Sequence, residues 1–329
     1  MEDRMRRINP ALFSLSAISS CVAALLMPVE CFGQDGSPEG KKTVEPVFRV
    51  SKLSDATHSN VEQDLLKTKP VGEAIKAEVI AEAKATGHSL DKAIDLAYQS
   101  LGHMRSSVQD YTAIMVKREL IDGAMAEPEY MKLKVRCPRE TAAGKTPFSV
   151  YMKFLRPKAF AGREVIWVDG VNQNRLCVHE GRGLMSMREF NLDPTGWVAM
   201  KGNRYPIYDA GIENLIVKLI EKAERDRAAG PCTATYREGA QINKRPCTLI
   251  ELVHDQRKAP YEFHKAQVFI DTELNLPVRY AAYDWPASPG GAPVLMEEYT
   301  YVNIDVNTGL KDLDFDPSNP AYHLSLIHI

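Results

Sequence analysis

His179-Glu180, His254-Asp255, His264 and Asp271 are the side chains of this 329-residue chain best suited to coordination chemistry. Two histidines on neighbouring strands with one carboxylate can hold a divalent metal. The spacing here matches no established metal motif, and strand histidines are more commonly hydrogen-bonded parts of a core or an edge, so no metal is expected. Asp312, Asp314 and Asp316 alternate like the start of a calcium loop. The glycine and closing glutamate of an EF-hand are missing, which leaves a solvated turn as the simpler reading. Glu297 and Glu298 are adjacent on a strand, so one of them must face inward or toward an edge. General acid catalysis needs a partner at defined distance, and Arg279 on a nearby strand is expected to neutralise Glu297. The chain has no phosphate loop, no Gly-x-Ser-x-Gly elbow, no His-Glu-x-x-His and no Cys-x-x-Cys. No catalytic residue and no cofactor is assigned.

Four cysteines follow the N-terminal segment: Cys137, Cys177, Cys232 and Cys247. Buried free thiols are the simpler expectation. A bridge between Cys232 and Cys247 becomes available if the hairpin between them turns at Gly239-Ala240, which would set them opposite each other. A turn at Asn243-Lys244 would separate them.

The elements that must position these side chains change period along the chain. Val71, Ala74, Ile75, Val79 and Ala83 share one helical face behind Pro70. Leu90, Ala93, Ile94, Ala97, Leu101 and Met104 share another, with Ser89 as the expected N-cap. The period then drops to two. Met131, Leu133, Val135 and Cys137 alternate with polar neighbours, and so do Val150, Met152 and Phe154. Short strands are expected near 164–168, 175–179 and 184–188, with glycine turns that favour an antiparallel meander. A helix interrupts them, with the stripe Ile212, Leu215, Ile216, Leu219, Ile220 and Ala223, and ends at Gly230-Pro231. Strands resume at 232–237, 247–254, 263–271, 278–284 and 294–302. The last two carry aromatic or small residues on both faces, which implies a second covered surface or a concave pocket.

Arg4, Arg6 and Arg7 precede an apolar run from Ala11 to Met27. Pro28 then breaks it, and Cys31-Phe32-Gly33 supplies small residues for cleavage. This is the three-part pattern of a signal peptide over 1–33. The run is short of the roughly 20 apolar residues of a spanning helix. Cys21 offers lipoprotein processing as an alternative. Residues 34–69 read as a flexible linker, residues 70–324 as a single domain, and 325–329 as a non-native tail. A net charge of −2 gives no footprint for nucleic acid.

Three stretches carry a resemblance. Leu101 to Ala113 runs from a helix into an Asp-Tyr-Thr strand. Val268-Phe269-Ile270-Asp271 leads to Leu274-Asn275-Leu276-Pro277-Val278-Arg279, and Tyr299-Thr300-Tyr301 precedes Asn307, Gly309 and Asp314-Phe315-Asp316. These resemble the lipoprotein-carrier superfamily typified by LolA and LolB. Gly162-Arg163-Glu164-Val165-Ile166, Gly202 to Ile207 and Tyr283-Asp284-Trp285-Pro286 look like an exported bacterial family, domain of unknown function fifteen-seventy-one. The resemblance spans roughly 90–322. It implies an α+β fold, a curved antiparallel half-barrel covered by helices over an apolar cavity. It also implies a periplasmic or envelope location, and a lipid, acyl chain or lipidated protein as ligand, with an envelope sensor or protein-interaction module as the alternative; a metal-dependent hydrolase is the minor alternative on the residues. On the residues themselves, Ile212, Leu215, Ile216, Leu219 and Ile220 should cover the concave face, opposite a wall that includes some of Met152, Phe154, Ile250, Leu252, Tyr280 and Met296. The extension 34–87 and the loop 191–209 have no obvious counterpart in the carriers.

Overall fold

The computed structural model describes residues 87–142, 144–181 and 189–322. The expected signal peptide, Cys21, the linker, the helix over 71–83, the strand at 184–188 and the tail lie outside them.

Helix α1 (Asp91–Ser107) buries Ile94 and Met104 and exposes its charged face. Leu90 takes the N-cap position, and Ser89 instead donates its hydroxyl to the Cys232 carbonyl at 2.7 Å. The expectation that Ser89 caps the helix is therefore corrected: Asp91 Oδ2 accepts from the His88 amide at 2.8 Å and serves the helix start.

The strands then follow in chain order. They are β1 (Asp110–Ile121), β2 (Ala124–Met125), β3 (Glu129–Arg136), the small hairpin β4 (Arg139–Thr141) and β5 (Gly144–Thr146), β6 (Ser149–Arg156), β7 (Glu164–Val168), β8 (Leu176–His179) and β9 (Glu189–Leu192). A short helix α2 (Trp197–Met200) and the long helix α3 (Ile212–Ala229) come next. After them are β10 (Thr233–Ile242), β11 (Arg245–Val253), β12 (Lys265–Asp271), β13 (Leu276–Asp284) and β14 (Val294–Val306). One antiparallel sheet runs β10-β11-β12-β13-β14-β1-β3-β6-β7-β8-β9, with β2 on β1. The sheet does not close into a barrel. The fold is thus an open α+β architecture, as the alternating pattern and short turns predict.

The sheet's two faces differ in chemistry. One face of β1, β3, β6, β7 and β8 forms the main core, with Tyr111, Met115, Leu133, Val150, Val165 and Val178, and α3 closes over it through Ile212, Ile216 and Ile220. Leu252, Ala266, Tyr280 and Ala282 of the β11–β13 half form a second cluster with Leu90 and Ile94 next to α1. On the reverse face, Phe315 and Tyr322 cover Tyr151, Ile166 and Cys177, and Tyr322 stacks on Tyr151 at 4.2 Å between ring centres. Further along that face, Arg279 Nε donates to Glu298 Oε1 at 2.9 Å and Gln267 accepts from Arg279 at 3.2 Å. Gln267 also donates to Glu251 at 2.8 Å.

This corrects the expected partner of Arg279. Adjacent strand residues point to opposite faces, so Arg279 reaches Glu298 while Glu297 looks to the other side. The Cys232–Cys247 bridge is also corrected. The hairpin turns at Asn243 and Lys244, both with positive φ (49° and 64°), which sets Ile242 against Arg245 and Cys247 against Ala240. Cys232 lies beyond the start of β10, and both thiols are free. Gly239 marks a register shift between Arg237 and Ala240 and is not the turn.

Candidate ligand cavity

Gly211 fixes how α3 meets the sheet. It holds the N-cap with φ 98° and ψ 159°, a conformation essentially reserved for glycine. A Cβ there would stand 3.2 Å from the Tyr111 hydroxyl. That hydroxyl accepts the Ile212 amide at 2.8 Å, satisfying one of the free donors at the helix start. The first turn of α3 is thereby tied to β1.

Beyond this anchor, the helix and the sheet stand apart. A cavity of about 610 Å³ separates them, within the usual range for a small-molecule site. Met115, Met131, Met152, Phe154 and Val165 supply the sheet wall, and Leu215 and Leu219 supply the helical wall. The end of β9 and the segment after it close the remaining side with Leu192, Pro194, Val198, Ala199, Tyr205 and Ile207. Arg163 and Glu180 form part of the rim and pair with each other at 3.0 Å. A second, small cavity of about 70 Å³ lies between α1, α3 and strands β11–β13.

The residues predicted to line one cavity divide between compartments. Met152, Phe154, Leu215, Leu219 and Tyr280 line the large one. Ile216, Ile250 and Leu252 border the small one, which Leu219 and Tyr280 also touch. Ile212 is fully buried in the main core, and Met296 packs on the α1 cluster. The α3 stripe is wide enough to serve the core and both cavities, so these residues are shared among the three.

The polar floor of the large cavity was not foreseen. Lys117 and Glu119 follow Met115 on the inward face of β1, at the period of two. Lys117 Nζ lies 3.1 Å from Glu129 and 3.5 Å from Glu119, and donates to Asn203 Oδ1. Glu119 accepts the Arg204 amide at 3.1 Å and the Tyr299 hydroxyl. Arg204 Nε stands 3.2 Å from Glu297 Oε2. Burial, then the charge of Glu297, pushes the Tyr280 and Tyr299 phenols far above their ordinary value. The segment 191–209 thus supplies both apolar wall and polar partners. The sequence signal for the floor was the charged end of the β1 stripe.

The metal constellation does not assemble. His254 and His264 are neighbours, His264 Nδ1 lying 2.8 Å from the His254 carbonyl oxygen. His254 faces Asp226 of α3 at 3.4 Å and stacks on Tyr261. His179 belongs to β8, toward the other end of the sheet, and Asp271 is bound by Arg245. Among the described residues no three His, Cys, Asp or Glu side chains are placed to share one ion. Asp314 pairs with Lys134 at 2.6 Å and Asp312 with Arg136, so the alternating aspartates serve ion pairs. Burial lifts the Cys137 thiol to about 12 and the Cys247 thiol to about 11, which keeps both protonated and weakly nucleophilic.

An open antiparallel sheet with helices on one face and an apolar cavity beneath them defines the class: a helix-covered half-barrel. The chain belongs to the family described as Protein of unknown function (DUF1571), whose model matches residues 108–324. No curated protein matches the chain. Among solved structures it is similar to the lipoprotein LppX of Mycobacterium tuberculosis, with 13% identity, 69% of this chain and 100% of that one covered, and a TM-score of 0.37. It is also similar to the MucA/MucB complex structure of Pseudomonas aeruginosa, with 12% identity, coverage of 68% and 60%, and a TM-score of 0.36. A third is the LolA superfamily protein of Nitrosomonas europaea, with 10% identity, coverage of 68% and 97%, and a TM-score of 0.27. Among the described residues no helix is long and apolar enough to cross a membrane.

Proposed function

We propose that this protein is an exported, non-catalytic binding protein whose ligand is a lipid, an acyl chain or another hydrophobic group. The large cavity carries the reading. Apolar side chains that could have met in a dry core are held apart by α3 and the 191–209 segment. Native interiors are otherwise packed to crystal density, so a space of about 610 Å³ is suited to a guest. An acyl chain of about a dozen methylenes would gain roughly 10 kcal/mol from burial before association costs are subtracted. Residues 1–33 have the signal-peptide pattern that would deliver the protein to the cell envelope.

Leu219→Asp tests the reading, because Leu219 borders both cavities. The variant should abolish uptake of a fluorescent fatty-alcohol probe while keeping a cooperative thermal transition. A wild-type protein that takes up no apolar probe would sink the carrier reading. The alternative, a sensor or interaction module, has one observation in its favour: Trp197 is 78% exposed and Val198 beside it 50%. Specific capture of an envelope protein, lost in Trp197→Ser, would favour that alternative.

A further inference from the structure

Beyond the carrier reading, we infer that the reverse face of the sheet, at β3 and β6, is a docking surface for an acidic, aromatic-bearing segment of another protein. β3 alternates Met131, Leu133 and Val135 toward the core with Tyr130, Lys132, Lys134 and Arg136 on the reverse face. β6 adds Lys153 and Arg156, which stand opposite Lys132 and Tyr130 in the register. Like charges placed directly across two strands, as Lys132 and Lys153 are, cost stability.

The chain's own C-terminal segment shows what this surface holds. On one half of the stripe, Asp314 pairs with Lys134 at 2.6 Å and Asp312 with Arg136. The Phe315 ring centre lies 5.0 Å from the Arg136 guanidinium, and the Tyr322 ring centre 5.2 Å from the Lys134 ammonium. Two aspartates at alternate positions, with two rings, thus match two cations at alternate positions. The other half repeats the chemistry of the surface. Lys132 is exposed and, like Arg156, makes no ion pair among the described residues. The Arg156 guanidinium stands 5.9 Å from the Tyr130 ring centre. The carboxylates within this half are already engaged. Glu164 is fully buried and pairs with Lys153 at 3.0 Å, and Glu298 lies 2.9 Å from Arg279 and 3.6 Å from Arg118. Charge complementarity for Lys132 and Arg156 is therefore left to a partner. An extended segment with acidic residues at alternate positions and a ring beside Tyr130 and Arg156 would repeat the contacts the chain makes with itself. A bilayer surface offers anionic heads without a ring at that spacing.

Fluorescence anisotropy of a labelled peptide, Asp-Leu-Asp-Phe-Asp-Leu-Asp, against its counterpart with every Asp replaced by Asn, tests the inference on the whole protein. The acidic peptide should bind at least about tenfold more tightly at low salt, and the gap should shrink as ionic strength rises. Lys132→Glu combined with Arg156→Gln should cost the acidic peptide about tenfold and leave uptake of an apolar probe by the cavity within about twofold. Lys132→Glu sets opposite charges across β3 and β6 and so favours the fold. Equal binding of the two peptides to wild-type protein overturns the inference. So does a preference for the acidic peptide that survives unchanged in the folded double variant. Phosphatidylglycerol vesicles that bind wild type but not the double variant, while the two peptides remain indistinguishable, overturn it in favour of a membrane surface.

Discussion

A homologous series of uncharged n-alcohols, octanol to tetracosanol, should bind with affinity that climbs steeply and then stops. Each methylene transferred from water to the cavity gains about 0.8 kcal/mol. The four methylenes between octanol and dodecanol therefore add about 3 kcal/mol, roughly 200-fold in Kd. The climb must end where the space does. A cavity of about 610 Å³ holds on the order of 20 groups at about 30 Å³ each, the volume share of a water molecule. An uncharged head keeps the contribution of Lys117, Glu119 and Glu297 constant along the series. Ala199→Trp is the matching perturbation. Ala199 lines the cavity from α2, outside the sheet. An indole there should leave the slope for short chains unchanged and bring the plateau several methylenes earlier. Isothermal titration at constant temperature gives both slope and plateau. A slope below about a quarter of the transfer value, or a plateau that Ala199→Trp does not move, refutes burial of the chain in this space.

Three further outcomes follow from the packing. Glu298→Ala should cost about 3–5 kcal/mol in urea unfolding, because it leaves Arg279 buried without its carboxylate; Arg279→Met combined with Glu298→Leu should recover most of it, and additive losses would contradict the pairing. Gly181→Ala should destabilise by about 1–3 kcal/mol or more and weaken ligand binding, since its Cβ would stand 2.1 Å from the Gly162 carbonyl carbon at the cavity rim; unchanged melting would show that this approach is not tight. Burial lifts Asp226 from its ordinary 3.8 to about 6, so the native state holds that proton more firmly than the unfolded chain and stability falls as pH rises through that window. Burial depresses His254, whose contribution is lost in the opposite direction as pH falls below 6.5. Asp226→Asn removes the first slope, so its Tm relative to wild type should rise between pH 4 and pH 7; a constant difference would contradict a buried carboxyl.

Alternation and helical spacing made the sheet and α3 legible because burial imposes them residue by residue. Ile212, Ile216 and Ile220 lie on the sheet as their spacing requires. Register is a weaker signal. Gly239 and the Asn243-Lys244 pair are both turn chemistry, and only the pairing of β10 with β11 decides between them. The elements of the segment 191–209 were not legible, since a stretch that lines a cavity with short pieces of strand and helix has no sustained period. Asp226 was readable in principle: it lies three residues after Ala223, on the same stripe, and a carboxylate at stripe spacing signals a buried polar contact.

The floor of the cavity follows from one strand changing character along its length. On its inward face β1 carries Tyr111, Ala113 and Met115, then Lys117 and Glu119. The apolar part lies near the first turn of α3, where the Tyr111 hydroxyl holds Ile212 and the space is filled. The charged part lies where α3 has drawn away and Asn203 and Arg204 come in to meet Lys117 and Glu119. A charged pair in a closed core would be expensive, whereas at the edge of an open cavity a ligand can complete its partners. The same geometry that keeps the cavity from collapsing thus places its polar groups at one end and its apolar wall at the other. That is the arrangement an amphiphile requires and a uniformly apolar guest does not.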